Sequence, residues 1–188
     1  MIIRTKRDSI EQIKRLKLNH FKEDVFSTSD VDKIKNFFED NPAKEYIMRD
    51  SEKASGKFFF IKDFKECQKL LKKYKDYVTI CISSNEYDDN IVLLGDIKVK
   101  KQMGNDVVDL TARTDKDADH RNIYKNPKYN LHTNIEDNKL WDIPGFSKII
   151  SYISEHELYD VVVEFAVFDC AVGVYNEKVA IFELRSEF

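Results

Sequence analysis

At 188 residues the chain suits one domain of ordinary size, or two small lobes of about 1–80 and 81–188 around a cleft. Apolar residues at 42% and charged residues at 35%, with only 5 Gly and 3 Pro, argue against a disordered or low-complexity chain. A net charge of −3 does not favour nucleic acid as a partner, and no segment reads as a secretory signal or a bilayer span.

In chain order, Ile10, Ile13 and Leu16 recur at helical spacing and predict a short N-terminal helix. A second helix follows, with Ser29 and Asp32 as a reciprocal cap and Val31, Ile34, Phe37 and Phe38 as its buried stripe; Asn41-Pro42 ends it. Strands are expected over 45–49 and 57–62, joined by the polar loop 50–56, and then a helix marked by Phe64, Cys67, Leu70, Leu71 and Tyr74. Three strands come next, over 77–83, 91–100 and 107–113. From Asp115 to about Asn138 the chain is polar and aperiodic, and so long a loop in a compact domain is usually functional. Pro144 opens a helix through Ile149, Ile150 and Ile153, and two strands close the protein. The whole reads as an α+β chain with mostly antiparallel strands and packed helices. Cys67, Cys81 and Cys170 form no CxxC pair and lie far apart, so the expected setting is a reducing cytoplasm rather than a disulfide or zinc framework.

The closing strands carry the chemistry. In Val161–Val167 and Lys178–Arg185, apolar runs are interrupted by Glu164 and Glu183, and an ionised carboxylate resists leaving water without a partner. By alternation Glu164 shares a face with Val162 and Ala166, and Glu183 with Ile181 and Arg185. A turn centred on Gly173-Val174 sets Glu164 opposite Glu183, where like charges call for a cation such as Mg²⁺. A turn at Asn176-Glu177 instead brings Asp169 beside Glu183. The alternative role for both acids is exposure to solvent or pairing with Arg185 and a lysine.

This closing pattern, "DVVVEFAVFD…KVAIFELRS", resembles the metal-binding end of ATP-grasp domains, in the variant found in phosphoenolpyruvate synthase and pyruvate phosphate dikinase. The resemblance implies an ATP-grasp-like two-lobed module that holds ATP with Mg²⁺ on Glu164 and Glu183, and it sets Arg185 at the position after the spacer. Upstream, "YIMRDSEKASGKFFFIKD" is similar to that family's strand–loop–strand over the phosphates, matching Arg49 to a phosphate-contacting arginine and Ser55-Gly56 to the loop. The chain departs from the pattern at Val162, where the family has an acid. It also has a longer final hairpin and no Gly-Gly-Lys-Gly element, for which Arg4, Lys6 or Arg7 would substitute.

The physical logic does not depend on that name. A guanidinium can engage two phosphate oxygens at once, which suits Arg49 at a strand end, and Lys57 begins the next strand toward the same place. Ser55-Gly56 offers backbone amides but lacks P-loop spacing, and an ordinary polar turn is the competing reading. Asp115, Asp117 and Asp119 imitate an EF-hand start, yet His120 stands where Gly is required and Asn126 where Glu is. Arg113, His120 and Arg121 are candidates for binding phosphate or an acidic substrate, with His120 as base or phosphoryl acceptor. His20, His132 and His156 lack ligand spacing, and Trp141 is expected to pack the long loop onto the core.

Three functions therefore stay open. The first is a Mg-ATP-dependent ligase or phosphotransferase with Arg185 and His120 catalytic and an unknown acceptor. The second is an inactive nucleotide-binding or protein-interaction module, with a partner protein supplying the missing elements. The third is a metal-dependent nuclease, for which Glu183-Leu184-Arg185 is an imperfect motif.

Overall fold

A computed structural model describes residues 2–52, 58–114 and 127–186. Among these residues nine strands form two antiparallel sheets: β1 (Glu23–Ser27), β4 (Tyr77–Ile82), β2 (Tyr46–Asp50) and β3 (Phe58–Ile61) in that spatial order, then β7 (Tyr129–Asn134), β6 (Val107–Arg113), β5 (Ile91–Lys100), β8 (Val161–Val172) and β9 (Glu177–Ser186). A 3₁₀ segment, Ser84–Asn90, links the sheets.

Each sheet buries one face under helices. In the first, Met48, Val78, Ile80 and Ile61 pack on Ile34, Phe37 and Phe38 of α2 (Val31–Asp40) and on Cys67 and Leu71 of α3 (Phe64–Leu71). In the second, Ile97, Leu110, Val163, Phe165 and Ile181 pack on Leu140 of α4 (Asn138–Trp141) and on Phe146, Ile149 and Ile153 of α5 (Phe146–Glu155). Strand alternation then turns Ile47, Arg49, Thr79 and Cys81 of the first sheet, and Asp96 and Glu164 of the second, to the opposite faces.

Among the described residues, edge strand β9 has no further strand beside it. Its outer groups are satisfied by the N-terminal segment instead, which contains α1 (Lys6–Arg15). Ile181 N–H donates to Asn19 O at 2.7 Å, Leu184 N–H to Ser9 Oγ at 2.8 Å and Ser186 N–H to Ile3 O at 3.0 Å. Ile3, Ile13 and Leu18 also join the second sheet's core. Residues 3–19 thus brace the C-terminal sheet, although they precede the first one.

Several local expectations are corrected. Asp30, not Ser29, is the N-cap of α2; Ser29 Oγ is engaged with Ser27 Oγ at 2.8 Å, while Asp30 pairs with Lys33. β1 and β7 were not expected as strands. β1 opens on two acids, Glu23 and Asp24, and β7 is an exposed edge rich in Asn, His and Thr, so neither shows an apolar period. Trp141 reaches the core through an edge-on contact with Phe146 and donates to Ile135 O.

Candidate active site

The open faces of the two sheets enclose a cavity of about 300 Å³, at the lower end for a ligand site. The first sheet contributes Ile47, Arg49, Thr79 and Cys81, and the second Leu94, Gly95, Glu164 and Glu183. Lys6, Glu23 and the ring of Phe182 close its side. Thr79 Oγ1 is fully buried in this wall with no hydrogen-bond partner among the described residues, so a polar group entering the cavity would relieve its desolvation cost.

On the second sheet three acids stand in one row. Asp96 of β5 faces Glu164 of β8, which faces Glu183 of β9. Of the two registers compatible with the sequence, the structure has Glu164 opposite Glu183, but a simple turn does not produce it. The hairpin closes with Val172 opposite Glu177, the ladder slips before Val167–Val179, and it slips again between Phe165–Ile181 and Glu164–Glu183. The second slip is a β-bulge in which Phe182 is the extra residue. It corrects one expectation: the bulge resets the alternation, so Glu183 faces the cavity although Ile181, two residues earlier, packs in the second sheet's core as well as touching the cavity wall.

Arginines from two strands meet this row. Arg185 Nη2 lies 2.5 Å from Asp96 Oδ2 and its Nη1 3.5 Å from Glu164 Oε2; Arg49 Nη1 lies 3.4 Å from Glu183 Oε2. The expectation that the acids pair with Arg185 therefore holds for Glu164, while the partner of Glu183 is an arginine from the other sheet. Of Arg4, Lys6 and Arg7, only Lys6 lines the cavity. Its Nζ donates to the bulge carbonyl of Phe182 at 2.6 Å and lies 3.4 Å from Glu23 Oε2. Arg7 turns away to Glu11 and stacks over Tyr77. Arg113 is buried at the end of β6 opposite Leu94, on the Asp96 side of the sheet but off the cavity wall. Ser55, Gly56, Lys57, His120 and Arg121 lie outside the described residues.

Desolvation on the cavity wall, where the Glu164 side chain is only partly covered, with Asp96 and Glu183 adding repulsion, pushes its carboxyl up to about 7, against the opposing pull of Lys6 and Arg185. A carboxyl raised in the folded state binds its proton more tightly there than in the unfolded chain. The resulting stability is fully present below about 4.5, the ordinary glutamate value, and is lost as pH rises through about 7. Between those limits the melting temperature of the protein should fall relative to that of a Glu164→Gln variant. Parallel melting curves across that window would refute the shift.

Cysteine chemistry is not part of the site. Burial pushes the Cys67 thiol up to about 12 and raises that of Cys81 as well, and no cysteine is in a disulfide. His20 is a buried structural residue bonded to Leu18 O, and His132 pairs with Asp109 on the exposed edge of β7.

Two residues escaped the sequence reading. Asp96 interrupts an apolar strand just as Glu164 and Glu183 do, so the same criterion would have found it. Asn19 carries no such signal. It is fully buried, donating to Val172 O at 3.0 Å and Val179 O at 2.8 Å, and accepting from Tyr175 N–H at 2.9 Å. One carboxamide thereby clasps the β8–β9 hairpin that carries both acids.

Two antiparallel sheets, helix-backed on their outer faces and facing each other across a charged cavity, make the fold that of the ATP-grasp ligases. Among solved structures the chain is similar to the D-alanine–D-alanine ligase of Helicobacter pylori (TM-score 0.59, 15% identity, 96% of this chain and 53% of that one). It is similar also to the D-alanyl-alanine synthetase A of Vibrio cholerae (0.59, 8%, 96% and 54%). A third is the N5-carboxyaminoimidazole synthase of Aspergillus clavatus, solved with ADP and 5-aminoimidazole ribonucleotide (0.60, 10%, 100% and 45%). The chain spans about half the length of these proteins, and at such identities the likeness is one of fold. No family model matches the chain, and no curated protein matches it in sequence.

Proposed function

We propose that the cavity binds Mg-ATP and that the chain is the nucleotide-binding part of an ATP-dependent ligase or phosphotransferase whose acceptor is unknown. The observation that carries this reading is the union of an apolar cavity with a row of carboxylates and two arginines between facing sheets. A triphosphate needs cations to spread its charge and to hold attacking and leaving oxygens in line. Arg49, at the end of β2, is the residue we assign to phosphate, with Lys6 in the place of the missing lysine element.

Glu164 and Glu183 suit Mg²⁺: both offer hard oxygen donors, and they stand opposite each other on neighbouring strands. Two carboxylates completed by phosphate oxygens and water are an ordinary octahedral set. The bound ion would neutralise the phosphates; Arg49 and Arg185 would orient them, and the apolar wall would exclude water. Ser55, Gly56, Lys57 and Arg121 remain proposed nucleotide contacts and His120 a proposed base, in two lobes dividing near residue 80; Arg113, buried off the cavity wall, does not fit the nucleotide role expected of it. The phosphoenolpyruvate synthase-type variant is the finer assignment, and it rests on the residue pattern of the closing strands.

One observation favours an inactive binding module instead: each acid of the row already has an arginine beside it. Calorimetric titration with Mg-ATP separates the readings. Micromolar to sub-millimolar binding is expected, weakened roughly tenfold or more by Arg49→Ala, the size of a lost charge-assisted hydrogen bond. Absence of binding by the unmodified protein would sink the nucleotide reading. Binding without ADP or AMP release toward any acceptor tested would favour the inactive module.

A further inference from the structure

A hydroxyl shut away from water normally has a hydrogen-bond partner, because leaving it unmet carries the full cost of its desolvation. Thr79 departs from this. It is 0% exposed on β4, the strand between β1 and β2, and its Oγ1 meets no partner among the described residues. Other polar side chains of the cavity wall are engaged: Lys6 with Glu23 and Phe182 O, Asn85 with Glu45, and Arg49 with Glu183. Thr79 is also held stiffly, since branching at Cβ restricts its χ1 and strands on both sides fix its backbone.

The surroundings of this hydroxyl select the group that would meet it. Thr79 stands directly opposite Arg49 in the β2–β4 ladder, so both side chains leave the sheet on one face, toward the cavity. Residues so placed have Cβ atoms about 4.5–5.5 Å apart, close enough for one small anionic group to touch both. On its other side Thr79 faces the apolar Val25. A guanidinium beside a hydroxyl is a donor pair suited to an oxyanion with several acceptor oxygens, and a hydrogen bond to a charged oxygen is stronger than one to a neutral oxygen.

We propose that Thr79 Oγ1 is a second phosphate contact of the cavity, donating to an oxygen of the phosphoryl group that Arg49 holds, and that this bond forms only in the complex. The proposal rests on the nucleotide reading for what carries the phosphate, not for the contact itself. The hydroxyl then acts with opposite signs: it lowers the stability of the free protein and raises affinity for the phosphate.

The test compares the full chain with its Thr79→Val and Thr79→Ser variants, using two probes, Mg-ATP and inorganic tripolyphosphate with Mg²⁺. Valine keeps the shape of the side chain without the hydroxyl. With no probe added, Thr79→Val should melt at or above the temperature of the unmodified protein, while its affinity for both probes should fall about tenfold or more. Thr79→Ser, which retains the hydroxyl, should keep most of the affinity. A lower melting temperature for free Thr79→Val would mean that the hydroxyl is already satisfied without phosphate, and would overturn the proposal. Undiminished affinity in Thr79→Val would overturn it too, as would an equal loss in Thr79→Ser, which would trace the effect to packing of the methyl group. Tripolyphosphate binding without Mg-ATP binding would end the nucleotide reading and leave the Thr79 contact to be decided by the variants. Binding of neither probe would overturn both.

Discussion

Alanine at Glu23 will lower the unfolding free energy by roughly 3–5 kcal/mol, the usual cost of removing one partner from a buried ion pair. Glu23 and Lys6 are 3% and 6% exposed, and after the substitution the Lys6 ammonium would keep only the Phe182 carbonyl. For a chain of this size that corresponds to a fall of very roughly 6–20 °C in melting temperature. Denaturant unfolding should show a lower midpoint at constant slope. A Lys6→Met/Glu23→Leu double variant should regain most of the loss, since apolar residues of similar volume often replace a buried pair at no cost. Equal destabilisation of single and double variants would place the defect in packing and not in the uncompensated charge. The pair also matters locally, because Lys6 holds the carbonyl that the Phe182 bulge leaves outside the ladder.

Asn19→Ala is expected to cost roughly 3 kcal/mol or more, because several buried backbone groups lose their partner at once and each orphan costs about 1–3 kcal/mol. The hairpin turn leaves no room for compensation. At Gly173, with φ +77°, a Cβ would lie 2.6 Å from Asn19 Oδ1 and 2.7 Å from His20 O, so the turn and the carboxamide are packed against each other. Amide exchange should report the loss at Tyr175, whose N–H bonds to Asn19 Oδ1, before the α2–α3 face of the first sheet is affected. Uniform loss of protection across both sheets would show instead that the residue supports the whole fold and not the hairpin.

Helices α1, α2, α3 and α5 and most strands were legible because each has an apolar face of clear period, whereas the single turn of α4 has none. Strands 91–100 and 107–113 match β5 and β6, and the α2 stripe is buried at Ile34, Phe37 and Phe38, whereas Val31, expected in the same stripe, is exposed in the first turn. β1 and β7 were not legible, since one lies at a sheet edge behind two acids and the other is a polar edge. The acids Glu164 and Glu183 stood out as charges inside apolar runs, but their register did not. It depends on the Phe182 bulge, and on Lys6 and Asn19, whose contacts with the hairpin join residues more than 150 positions apart. Local pattern carries no information about such pairs. The interlocked arginines were hidden for the same reason: the sequence shows Arg49 and Arg185 but not that they meet acids from different strands.

The double slip in the β8–β9 ladder bears on how this hairpin can change length over time. Because pairing is already interrupted between Val167 and Val172, a residue gained or lost within that interval is absorbed before it reaches Glu183. Deleting Phe182 would likewise leave Ile181 against Phe165 and Glu183 against Glu164, since the bulge holds the one surplus residue. A single deletion at Leu184 has no such buffer and would rotate Arg185 onto the core side. The hairpin thus combines an indel-tolerant tip with a short, frame-sensitive stretch around the acids, and length variation among descendants of this chain should collect at the former.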